Sequence, residues 1–157
     1  MRYVLLLTLT LLASSTLAQE ALLSPNAPQD KSSSVPTDSV AAFEAAIAPY
    51  VAHARQTYPS AKRKFQAGLP DGQSFFVTTR LHDGSGAFEQ VFIAVRRIEG
   101  GMISGRIWSD IRTVRGYRYG DTYRFPEGDI LDWLIAHPDG SEEGNVVGKF
   151  LDTYSGT

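Results

Sequence analysis

The sequence predicts an α+β domain, with short N-terminal helices packed on a curved antiparallel β-sheet. Two observations carry that expectation. Val40, Phe43, Ile47, Tyr50, Val51 and Ala54 recur at helical spacing, and beyond Gly72 the apolar period drops to two. Helical patterning first and strand patterning afterwards is the order of an α+β domain, not of alternating βαβ units.

The helical part begins near Thr37-Asp38-Ser39, each a candidate N-cap. Pro49 and Pro59 fall inside the pattern. Proline lacks the N–H a helix interior needs and fits best in a first turn, so two or three short helices are expected between 39 and 68, ending at Gly68.

Strands follow. Phe75, Val77, Thr79 and Leu81 alternate against Phe76, Thr78, Arg80 and His82. Asp83-Gly84-Ser85-Gly86 then reads as a hairpin turn. Phe88 to Ile98 is apolar on both faces around Val91-Phe92-Ile93-Ala94-Val95, which predicts a central strand. Gly100-Gly101 turns the chain into a strand from Met102 to Trp108, and Gly120-Asp121 precedes one at Thr122-Tyr123-Arg124-Phe125, closed by Pro126. Ile130 to Ala136 is another apolar run, ended by a type I turn at His137-Pro138-Asp139-Gly140. Gly144 to Tyr154 is expected to be the last strand.

The domain is preceded by two other segments. Arg2, the apolar run Tyr3 to Ala13 and the small residues through Ala18 follow the order of a secretory signal peptide, with cleavage expected after Ala18. The run falls short of the roughly 20 apolar residues of a membrane span, so no stable span is expected after cleavage. Residues 19–38 hold Pro25, Pro28, Pro36 and Ser32-Ser33-Ser34 and read as a disordered linker. The expected organisation is therefore signal 1–18, linker 19–38 and one domain over 39–155. The product is expected in the periplasm or outside the cell.

Composition narrows the function. The chain has no cysteine, which removes disulfides, thiolate metal sites and cysteine nucleophiles. His53, His82 and His137 are far apart and none sits at metal-ligand spacing, so no cofactor or metal is expected. Without residues 1–18 the chain carries 14 basic and 17 acidic residues, a formal charge of −3, which argues against nucleic acid as a partner. No serine lies in a Gly-x-Ser-x-Gly setting, and the carboxylates Glu89, Asp132 and Glu143 show no spacing that demands glycoside chemistry. No catalytic residue is assigned. Glu142-Glu143 reads as a solvated charge pair in a turn.

Two features stand out. Asp132-Trp133 puts a carboxylate in an apolar run, where it needs a partner. If Trp133 enters the core, Asp132 points the other way and either accepts backbone N–H bonds or an arginine, or lines a binding groove. The second feature is charge. Residues 96–124 sum to +4 and residues 127–152 to −6. Trp108, Tyr117, Tyr119 and Tyr123 interleave the arginines. Either the two blocks neutralise each other across neighbouring strands, which is the simpler expectation, or they form an arginine–aromatic surface for an anionic polymer or acidic protein. The candidate partner-binding residues are Asp132, Trp133, Arg106, Trp108, Arg115 and Tyr119.

At Gly105-Arg106-Ile107, Tyr119-Gly120-Asp121, Asp129-Ile130-Leu131-Asp132-Trp133 and Gly144-Asn145-Val146-Val147-Gly148-Lys149-Phe150, the chain resembles the YegJ-like domain-of-unknown-function family 2314. Ala54-Arg55 in the helix and Glu89 with Phe92 in a strand match the same order. Ser109-Asp110-Ile111 departs from it, standing where relatives tend to show Asn-x-Pro. The resemblance implies a fold and domain limits and no activity. The expected function is an exported binding or interaction module for a protein or envelope component, with a hydrolase of an envelope polymer as the alternative.

Overall fold

The computed structural model describes residues 40–154; the expected signal, linker and N-cap residues lie outside the described residues. The architecture is α+β, with one long helix and an open six-stranded antiparallel sheet of order β4-β3-β2-β1-β5-β6.

The N-terminal helices are not short. α1 runs unbroken from Val40 to Ala67, 28 residues with Pro49 and Pro59 inside, about 42 Å long. Both prolines sit on the exposed side. Ala45 and Arg55, whose carbonyls lose their partners, are exposed as well, which leaves those carbonyls open to solvent rather than sealed in the core. Phe43, Ile47, Ala54, Tyr58 and Ala61 form the buried stripe. Spacing reveals that stripe but not whether a proline breaks it.

β1 (Ser74–His82), β2 (Phe88–Glu99), β3 (Met102–Ile107) and β4 (Thr122–Pro126) form a meander. β5 (Asp132–Ala136) then returns to pair with β1, and β6 (Glu142–Gly144) pairs with β5. β2 is central, as its two apolar faces predict. The hairpin turn closes with Gly86 N–H donating to the Asp83 carbonyl at 3.3 Å, and the later turn with Gly140 N–H to the His137 carbonyl at 3.0 Å.

Alternation sorts the side chains onto two faces. Phe75, Val77, Ile93, Ile103, Phe125, Trp133 and Ile135 form the main core with Ala54, Tyr58 and Ala61 of α1. Phe76, Ala94, Leu134 and Ala136 form a second cluster on the opposite face, with Phe92 and Trp108 against it. Trp133 ties helix to sheet: its Nε1–H donates to the Ala54 carbonyl at 3.1 Å and to Thr57 Oγ1 at 3.0 Å.

The last strand is the second correction. β6 ends at Gly144, Asn145 turns the chain at φ 56°, and Val146–Leu151 is a short helix, α2. Val147 packs with Phe43 and Ile47, so α2 rests on the N-terminal half of α1. Its β-branched start reads as a strand locally, but the site it fills is made by α1 and β5.

Gly105 lies on β3 where a Cβ would sit 2.2 Å from the Ala94 carbonyl oxygen and 2.7 Å from Ile93 Cγ2. Gly105→Ala is therefore expected to push β3 off β2, costing about 1–3 kcal/mol. Chemical denaturation measures it; an unchanged midpoint would mean the strands separate more easily than their pairing indicates.

Candidate functional site

β-strand register assembles the arginines. Ala94, Arg106 and Thr122 form one row across β2, β3 and β4, and Arg97, Ser104 and Arg124 form the next. A β-bulge between Val95 and Arg97 makes this possible. Before it, even-numbered residues of β2 share the face of Ala94. Afterwards Ile98 pairs with Ile103 in the core, so Arg97 joins Arg106 and Arg124 on the face opposite α1. A bulge re-aims the side chains that follow it. Arg97 and Arg124 are exposed and Arg106 half-buried.

Trp108 and Tyr119 stand at one end of this array. Trp108 packs 6.3 Å from Phe76, and Tyr119 lies on Trp108 with ring centroids 5.0 Å apart, 52% exposed. Partial burial against Trp108, and then the Asp110 carboxylate, raise the Tyr119 phenol above its ordinary value. Tyr117 and Tyr123, which also interleave the arginines in sequence, turn to the core side, where Tyr123 stacks on Phe125.

The segment between β3 and β4 carries Tyr119 together with Arg112, Arg115 and Arg118. It is long and irregular, and carboxylates fix it. Glu89, fully buried, accepts the N–H groups of Arg112, Thr113 and Val114 at 2.8–3.3 Å. Asp83 accepts Arg115 N–H at 3.0 Å and Asp121 accepts Arg118 N–H at 2.9 Å. The Ser85 hydroxyl and amide and the Arg115 amide hold the Asp83 carboxyl down at about 2. With their backbone amides held inward, Arg112, Arg115 and Arg118 present exposed side chains. Long ordered loops of this kind carry function more often than connection alone.

The acidic block lies elsewhere. β5 and β6 are at the far side of the sheet from β3 and β4, with β1 and β2 between them, so Asp132, Glu142 and Glu143 do not neutralise the arginines across neighbouring strands, while Glu127 and Asp129 follow the end of β4. Instead α1 meets the acids: Lys62 binds Glu127 at 2.7 Å and Lys64 pairs with Glu143. Glu142 accepts the Asn145 side-chain amide at 2.7 Å, so the Glu142-Glu143 pair is built into β6 and not a solvated turn.

The remaining sequence candidates separate. Trp133 is in the core, and Asp132, 2% exposed on the opposite face, accepts N–H groups of Trp133, Val147 and Gly148 at 2.8, 2.6 and 3.4 Å. Burial raises its carboxyl above the ordinary range, against those amides. Arg106, Trp108 and Tyr119 come together; Arg115 lies beside the β1–β2 turn. Arg97 and Arg124, which the sequence marks only through the charge sum of 96–124, join the array. Asp132, His82 and Glu89 do not converge: Glu89 shares the α1 face, Asp132 lies opposite, and His82 is exposed four residues along β1 from Thr78, the partner of Asp132. A shallow groove of about 690 Å³ lies between α1 and α2, lined by Pro49, Tyr50, His53, Val146, Lys149 and Phe150. Among the described residues no group of three or more acids and histidines is placed to hold a metal ion, and no helix is long and apolar enough to cross a membrane.

Neither a curated protein nor a solved structure matches the chain. A family model does, over residues 41–155, which takes in α1 from its second residue, all six strands, α2 and every residue of the arginine array. The chain therefore belongs to the family described as uncharacterised protein conserved in bacteria, DUF2314.

Proposed function

We propose that this protein is an exported bacterial binding module, periplasmic or secreted after cleavage near Ala18, whose outer sheet face recognises an anionic protein or envelope component. The observation that carries the reading is the placement of Arg97, Arg106 and Arg124 on one face beside the Trp108–Tyr119 pair, with Asp132, Glu142 and Glu143 on β5 and β6 at the other side of the sheet. Such segregation concentrates positive potential on a protein whose net charge is slightly negative. The export half rests on the order of charge, apolar run and small residues in 1–18. No observation favours the hydrolase alternative, since Glu89 and Asp132 hold backbone amides on opposite faces.

Binding of the purified protein to two model polyanions, polyglutamate and a sulfated oligosaccharide, tests the reading. Affinity is expected to fall by about an order of magnitude as salt rises from low to several times physiological, because the Debye length shrinks below the spacing of the charges. Arg97→Ala with Arg124→Ala should remove most of that salt dependence. Binding that ignores salt, or absence of binding to any polyanion, refutes the electrostatic reading. The exported form is expected to begin at Gln19 by N-terminal sequencing; an uncleaved N-terminus refutes the export half.

A further inference from the structure

Resting on the reading that the outer face binds an anionic partner, we infer that its ligand is a saccharide carrying a tetrahedral oxyanion, sulfate or phosphate. Arg97, Arg106 and Arg124 hold the oxyanion over Ser104, and Tyr119, propped on Trp108, takes the sugar ring.

The register defines the subsite. Ser104 lies between Arg97 on β2 and Arg124 on β4, with Arg106 two residues along its own strand on the same face. Neighbouring strands are about 4.8 Å apart and alternate residues about 7 Å apart, so three arginine positions neighbour that of one serine on the same face. A carboxylate offers two coplanar oxygens, which a single arginine fork meets. A tetrahedral oxyanion ester presents three free oxygens in different directions and leaves the fourth as its link to the sugar. Three arginines arriving from three strands match the second shape. Ser104 adds a donor from below, and its small side chain, with Ala94 and Thr122 beside Arg106, leaves the floor low between the arginines.

Competition for Arg97 and Arg124 is limited. Arg97 faces Glu99 at 3.3 Å, with both side chains more than 70% exposed. Solvent screens such a pair, and it contributes little that an incoming oxyanion would have to overcome. Arg124 has no acidic partner among the described residues. The exposed Tyr119 ring lies past Arg106 on the β3 side, fixed by Trp108, and Gly120 N–H donates to the Ile107 carbonyl at 2.8 Å to hold its backbone. An aromatic face fixed in place suits the apolar C–H face of a sugar, and the acidic polypeptide alternative makes no use of it.

The test titrates the purified protein with sulfated and phosphorylated oligosaccharides of equal charge, the unsubstituted oligosaccharide, polyglutamate, and inorganic sulfate. At least one oxyanion-bearing oligosaccharide should bind about tenfold or more tighter than polyglutamate and the unsubstituted sugar, the increment of one charge-assisted contact. Arg97→Ala and Arg124→Ala, both at exposed positions, should each weaken it about tenfold with an unchanged melting temperature, and Arg124→Lys should restore only part. Tyr119→Ala should weaken the oligosaccharide about 3- to 10-fold and leave inorganic sulfate unaffected. Polyglutamate binding equally well, with Tyr119→Ala indifferent, overturns the saccharide assignment while the anionic-partner reading stands. No binding to any polyanion at low salt overturns both.

Discussion

Replacing Glu89 by alanine is expected to lower the unfolding free energy by about 3–5 kcal/mol and to release the β3–β4 segment. Glu89 is fully buried, and three consecutive amides, Arg112, Thr113 and Val114, converge on its carboxylate. Arg112 and Thr113 are exposed enough for water to replace the acceptor, whereas Val114 is buried and its N–H would stay unpaired. Most of the loss falls on that group and on the void left beneath the segment. Glu89→Gln separates charge from shape. The amide fills the same space but turns one NH₂ toward three donors, so it should lose a large part of the same stability. Urea denaturation gives the free energy, and hydrogen exchange at 112–118 reads the segment itself. A Glu89→Gln protein as stable as the original would show that shape alone organises the segment. Because Arg115, Arg118 and Tyr119 ride on it, Glu89→Ala should also weaken polyanion binding although Glu89 lies on the other face of the sheet.

Replacing Asp132 by alanine should cost about 2–4 kcal/mol and undock α2. Its carboxylate links Trp133 N–H on β5 to the amides of Val147 and Gly148 at the start of α2, a helix too short to persist alone. Exchange protection over 146–151 should collapse while that of β1 and β2 persists. A pH experiment tests the electrostatics. Burial raises the folded-state carboxyl above its ordinary value of 3.8, so the folded protein binds the proton more tightly than the unfolded chain. Below that ordinary value both states are protonated and the group exacts no penalty. As pH rises through the folded-state value, the folded carboxyl ionises at greater cost and stability falls. Relative to Asp132→Asn, which cannot ionise, the unaltered protein should therefore lose stability as pH rises from about 4 towards neutrality. The slope is the readout, since the buried NH₂ of asparagine adds a constant offset. A difference that is flat with pH would mean the amide bonds offset the burial fully.

The residues that report on structure through their neighbours in the chain were legible. Phe75 to His82 alternates and forms β1; Val91 to Val95 is apolar on both sides and lies in the sheet's centre. Trp133 and Asp132 must point oppositely on any strand, and they do. Three other features were not. Pro49 and Pro59 each weaken a helix through a lost hydrogen bond and a clash with the carbonyl four residues back, and whether packing along α1 outweighs that is decided outside the local sequence. Val146–Leu151 reads as a strand by propensity, yet the Asp132 carboxylate, 15 residues away in sequence, receives the Val147 amide of a helix. The arginines were countable but not placeable. An extra residue at the bulge reverses the facing of everything after it, and no charge count distinguishes Arg97 on the outer face from Arg97 in the core.

Local patterning specifies the α+β class, the order of most strands, the turns at Asp83 and His137, and the segregation of basic and acidic blocks along the chain. These depend on periodicity and turn chemistry, which act over a few residues. Long-range packing decides that α1 is continuous, that α2 is a helix, that Asp132, Glu142 and Glu143 lie on strands away from those of the arginines, and that Arg97, Arg106 and Arg124 share one face. Each of those depends on strand order, register and solvent access, and long-range pairing sets all three.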